Sequence, residues 1–145
     1  MGQVKSLVAK EAMQILNLAY NETTERMLNA SIKIVNVSGV EIARSIMENM
    51  SPGLSNEAFL KARQSLWTGE STKYCQRALD ERGTTPEIMG IQTERFICEG
   101  GGVPIYNGQS LIGAIGISLD DENNEGAHDI AFRSVVQAGF STQKN

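Results

Sequence analysis

Residues 100–118 read GGGVPIYNGQSLIGAIGIS, and this stretch decides the fold. Three consecutive glycines lead into Val103-Pro104-Ile105, a short apolar run whose proline has no N–H to give to a ladder. Asn107-Gly108 is the strongest two-residue hairpin signal, and Gln109 to Ser118 returns as the longest strand. The first of these strands is therefore a sheet edge, or Pro104 points its missing N–H away from a neighbour. A phosphate-cradling loop would need a helix after its glycines; a strand follows instead, so that reading fails.

The returning strand has two unequal faces. Leu111, Ile115 and Ile117, with Gly113 between, make one face bulky. Ile112, Ala114, Gly116 and Ser118 make the other taper to almost nothing. Such a taper admits a close neighbour: a helix, a partner subunit or a flat ligand. Helix packing is the ordinary reason for it.

Upstream, residues 4–29 predict a long first helix, with Val4, Leu7, Val8, Ala12, Ile15, Leu16 and Ala19 at helical spacing. Ser31 to Met47 predicts a hairpin turning at Ser38-Gly39, with Asn36 as a hydrogen-bonded residue near a strand end. Asn49 to Ser55 is read as loop, broken by Ser51-Pro52-Gly53. Ser55 then caps a helix over residues 56–67, with Ala58, Ala62 and Leu66 inward, Lys61 and Arg63 on a solvated face, and Gly69 as its stop. A third helix is expected over Ser71–Glu81, with Cys75, Ala78 and Leu79 inward. A short one starts at Thr84-Thr85-Pro86-Glu87, and a strand over Arg95–Glu99 enters the glycines. Downstream, the acidic Asp120–Glu125 lacks calcium-loop spacing and reads as a solvated turn. A last helix covers Glu125–Gly139, with Ile130, Ala131, Val135 and Ala138 inward, and residues 141–145 form a tail. The fold class is therefore α+β: an antiparallel sheet of about five strands with flanking helices, in one domain over residues 1–145 with its folded core at 4–140.

At 145 residues, with 41% hydrophobic and 21% charged, the chain fits a single ordinary globular domain. A net charge of -4 with scattered basic residues excludes a nucleic-acid backbone and an anionic membrane surface as partners. Cys75 and Cys98 carry no CxxC spacing, which favours reduced thiols and a cytoplasmic setting. No apolar run approaches the roughly 20 residues of a membrane span. The N-terminal MGQVKS fits the N-myristoylation pattern, a short pattern that recurs by chance.

No catalytic constellation stands out. His128 is the one histidine, and its neighbour Asp129 does not face it on a helix. Cys98 reads as a packed strand residue.

Gly101-Gly102-Val103-Pro104-Ile105 and Gly113-Ala114-Ile115-Gly116-Ile117-Ser118 resemble the haem-binding-protein/glycolate-operon family, which also includes the C-terminal domain of one class of corrinoid adenosyltransferases. Lys61-Ala62 is similar to the family's Lys-Ala pair on a middle helix, and the first helix fits in position and length. More narrowly, the chain resembles the OrfY-type members of glycerol-dissimilation gene clusters, found beside a diol/glycerol dehydratase. The resemblance implies a profilin- or PAS-like sheet, homo-oligomers, and binding of haem or a related tetrapyrrole such as a corrinoid. It also implies association with the dehydratase or an adenosyltransferase. Two positions depart from the family pattern: Leu119 replaces a glycine, and Asn36-Val37-Ser38-Gly39 replaces an Asp-x-Gly turn.

These readings favour a ligand-binding or accessory protein without catalysis. The alternatives are an enzyme acting on a small hydroxy or carbonyl compound and an oligomeric scaffold for the dehydratase system. The ligand-binding candidates are Gly101, Gly102, Pro104, Ala114, Gly116, Ser118 and His128, with His128 the one candidate haem-iron ligand.

Overall fold

The computed structural model describes residues 5–74, 80–81, 83, 97–121 and 123–144. The expected helix start at Thr84–Glu87 and, within the expected third helix, residues 75–79 with Cys75, Ala78 and Leu79 lie outside the described residues. Those that are described form helices α1 (Ala9–Glu25), α2 (Pro52–Thr68) and α3 (Asn124–Gln137), with strands β1 (Ala30–Asn36), β2 (Glu41–Ile46), β3 (Gly102–Asn107) and β4 (Ser110–Leu119). A 3-10 turn at Thr72–Tyr74 follows α2.

The strands form one antiparallel sheet in the order β2-β1-β4-β3. The α+β class is as expected, and Pro104 does lie on an edge strand. Ile97 to Glu99, expected to end a further strand, are not in one. One sheet face carries Ile32, Ile34, Val103, Ile105, Ile115 and Ile117, packed on Ala12, Ile15 and Ala19 of α1 and Ile130, Ala131 and Val135 of α3. The other face meets α2, where Val35 and Ala114 pack on Ala62 and Leu66.

The alternation expected along β4 breaks near its start. Ile105 pairs with Gly113 but Tyr106 with Leu111, so an extra residue bulges at Ile112. Leu111 therefore joins the α2 side and Ile112 the α1/α3 core, the reverse of the sequence expectation.

Helix ends differ from expectation for local reasons. Leu7 is buried, but its N–H goes to the Ile112 carbonyl at 2.9 Å, so the chain runs along β4 before α1 begins. The Glu11 carboxylate accepts the Val8 N–H at 3.0 Å and fixes that start. At the other end Met27 turns left-handed at φ 60°.

Ser51, not Ser55, caps α2: its hydroxyl accepts the Leu54 N–H at 3.2 Å. Pro52 fits the first turn because no donor is needed there. Ser55 lies inside the helix, its Oγ 3.3 Å from Ser31 Oγ. Gly69 stops α2 at φ 72°, as read.

Asn36 Oδ1 accepts the N–H groups of Ser38 and Val40 at 3.0 and 3.1 Å, which closes the β1–β2 turn. Ser141, expected in a loose tail, exchanges two backbone hydrogen bonds with Tyr106. Crossed ion pairs join the antiparallel α1 and α3: Arg26 with Asp129, and Glu22 with Arg133 at 2.8 Å. No helix among the described residues is long and apolar enough to cross a membrane.

Candidate functional site

Gly100, Gly101 and Gly102 press on three different elements in succession. A Cβ on Gly100 would lie 2.6 Å from the Asn124 carbonyl at the start of α3. One on Gly101, at φ +132°, would lie 2.3 Å from the Ile117 carbonyl of β4. One on Gly102 would lie 2.4 Å from the Lys61 carbonyl of α2. The run is a junction of backbones, closed by Ile117 N–H to Gly101 O at 2.9 Å and Gly102 N–H to Thr72 Oγ1 at 2.9 Å. A cleft opens on each side of it, and the first turn of α3 contributes to both.

The first cleft, of about 440 Å³, is built around Lys61. Lys61 is 1% exposed, which corrects the expected solvated face. Its Nζ donates to the Ile117 carbonyl at 3.2 Å and lies 3.7 Å from Glu57. Burial pushes its pKa below the usual lysine value, against the opposing pull of Glu57 and Glu99. Ser118 Oγ lines the same cleft, buried and with no hydrogen-bond partner among the described residues. Gln64 holds the segment bearing Glu99 against α2 through both backbone groups of Ile97. Sequence reasoning missed Lys61, although it lies on the α2 stripe of Ala58, Ala62 and Ser65 that faces the smallest part of β4.

The second cleft, of about 470 Å³, contains His128. Asn123 caps α3 by accepting the Gly126 N–H at 2.9 Å, which places His128 one turn in. The imidazole stands between Tyr74 (centroids 5.9 Å apart, edge-on) and Phe132 (6.0 Å, tilted). Its Nδ1 is buried without a partner among the described residues. Arg26 and Lys73 line the cleft, paired with Asp129 and Glu125. Burial, then the Lys73 charge, pushes the His128 pKa below its usual value.

The sign of that shift fixes a pH effect. The unfolded chain takes up this proton near pH 6.5 and the folded protein only at lower pH. Stability carried by the neutral ring is present above about pH 6.5 and falls as the solution is acidified. We expect the urea midpoint of wild type to drop more steeply below that pH than that of His128→Gln, and equal slopes would exclude the effect.

The seven candidates separate. Gly102, Pro104, Ala114 and Gly116 are buried in the β3–β4 layer, on the face that meets α2. Ser118 lines the Lys61 cleft, Gly101 lies against the Lys61 side chain, and His128 belongs to the other cleft. Cys98, expected to be packed in a strand, is exposed; the desolvation that remains raises its pKa, away from a reactive thiolate. The acidic loop is used locally: Asp121 accepts the Asn123 N–H at 2.8 Å, and Asp120 pairs with Asn29.

The family model described as "Haem degrading protein HbpS-like" matches residues 7–132. No curated protein matches the chain. Among solved structures, the PduOC–haem complex is similar at 19% identity and TM-score 0.79, over 96% of this chain and 99% of that one. Klebsiella pneumoniae ORFY gives 19% and 0.79, over 95% and 93%. A double mutant of Streptomyces reticuli HbpS gives 16% and 0.80, over 96% and 91%.

Proposed function

This chain belongs to the HbpS-like family, and on that premise we propose that it is a small accessory protein binding haem or a related tetrapyrrole in the His128 cleft. The observation that carries this reading is the His128 imidazole, buried between two aromatic rings with Nδ1 unpartnered among the described residues. Its depressed pKa keeps the ring neutral near pH 7, the form that ligates a metal. With Nδ1 closed off, Nε2 is the nitrogen left for a ligand.

The residues present fit such a group. Tyr74 and Phe132 offer apolar contact for a flat ring system. Arg26 and Lys73 offer cations for its carboxylates; their present ion pairs are largely exposed, so exchanging partners costs little. The volume falls within the range of small-molecule pockets. Haem, if bound, would supply an iron centre whose behaviour the protein ligand and the polarity of the cleft would tune. Self-association and association with a dehydratase or adenosyltransferase belong to the same reading and rest on the hairpin's likeness; a cytoplasmic setting rests on the two cysteines without CxxC spacing.

Titration with hemin tests it. We expect a shifted Soret band at micromolar hemin, with affinity at least about tenfold weaker in His128→Ala. An unchanged spectrum would sink the proposal. Adding reductant in air then separates two roles: a persistent band fits accessory binding, whereas bleaching fits the degradation named in the family's description.

A further inference from the structure

The Lys61 cleft takes no part in that reading, yet it has the elements of a built site. Its floor carries donors. Lys61 is 1% exposed and spends one N–H on the Ile117 carbonyl, while Glu57 at 3.7 Å is an ion-pair neighbour beyond hydrogen-bond length. Beside it, Ser118 Oγ is buried and unpartnered among the described residues, a state native structures rarely leave unfilled. The walls carry acceptors: the carboxylates of Glu57, Glu99 and Asp121.

This polarity selects a ligand class. An anion would meet three carboxylates against one ammonium. A cation would meet the ammonium at the floor, and no metal-holding group of acidic, His or Cys residues occurs among the described residues. An apolar molecule would leave Ser118 unsatisfied. A neutral molecule with an acceptor at one end and hydroxyl donors at the other satisfies both layers. We propose that this cleft binds a small neutral hydroxy-carbonyl compound, its carbonyl oxygen accepting from Lys61 Nζ and Ser118 Oγ and its hydroxyls donating to Glu57, Glu99 and Asp121. The volume of about 440 Å³ leaves room for such a molecule with its bridging water.

Dihydroxyacetone is the probe, followed on the isotopically labelled full chain by amide NMR, with glycerol as the analogue lacking the carbonyl. Saturable shifts are expected at Gly101, Ser118 and Leu119. Ser118→Ala, which removes one oxygen, should weaken binding at least about tenfold, and glycerol should bind at least about tenfold more weakly than the probe. Lys61→Met provides a second variant with the same expectation, and a dispersed amide spectrum confirms that each variant is folded. Absence of saturable shifts, full affinity in folded Ser118→Ala, or equal binding of glycerol would each overturn the proposal.

Discussion

Gly116→Ala is expected to cost the protein about 3 kcal/mol or more, enough to threaten the fold of a domain whose total stability is about 5–15 kcal/mol. The added Cβ would lie 1.9 Å from the Ala58 carbonyl oxygen and 2.7 Å from the Ala62 nitrogen. Both are backbone atoms of α2, so no rotamer change relieves the contact. The helix must lift from the sheet, which opens the packing of Ala62 on Ala114. Gly108→Ala is the control: its φ is +65°, but nothing lies within 4 Å of the added atom. That change should cost only about 1–2 kcal/mol, the strain of a left-handed residue. Urea unfolding of the two variants decides the matter, and similar midpoints would show that α2 gives way easily.

The second large effect is expected at Lys61, where two substitutions should behave oppositely. Lys61→Ala removes most of the largest fully buried side chain and leaves a hole between α2 and the glycine run. A loss of about 2–5 kcal/mol should follow. Lys61→Met keeps the length and discards the charge, so it should remain within about 1.5 kcal/mol of wild type. The pH response distinguishes charge from volume. Because the folded protein holds the Lys61 proton less tightly than the unfolded chain, wild-type stability should rise with pH from the folded pKa toward 10.5. The Met variant should lack that rise. Parallel urea midpoints across the alkaline range would show instead that the ammonium is not destabilised by burial.

What the residues reveal by themselves follows the range of the forces involved. Asn107-Gly108, Ser38-Gly39 and Gly69 mark real turns and a real helix stop because turn chemistry is decided within a few residues. The start of α2 is decided as locally, but two serines compete for it. Pro52, which fits a first helical turn, settles the choice for Ser51 over Ser55. The bulge at Ile112 has no such marker, since it depends on how Tyr106 of the neighbouring strand pairs. Lys61 is harder still. A lysine on a helix reads as solvated until the missing side chain of Gly116 brings α2 down onto the sheet. Both clefts arise where the glycine run meets the start of α3, a juxtaposition of segments distant in the chain. Ser118 and His128 could be picked out singly, but not assigned to separate clefts.

The crossed pairs between α1 and α3 act as a position gauge. Glu22 and Arg26 face Arg133 and Asp129 in opposite order along two antiparallel helices. Sliding one helix by a single turn, about 5.4 Å, would set Glu22 against Asp129 in one direction, or Arg26 against Arg133 in the other. Either slide replaces an attraction by a repulsion, so sign favours the observed register even though each exposed pair contributes little energy. His128 is the residue immediately before Asp129. The same gauge therefore fixes how deep the imidazole sits in its cleft.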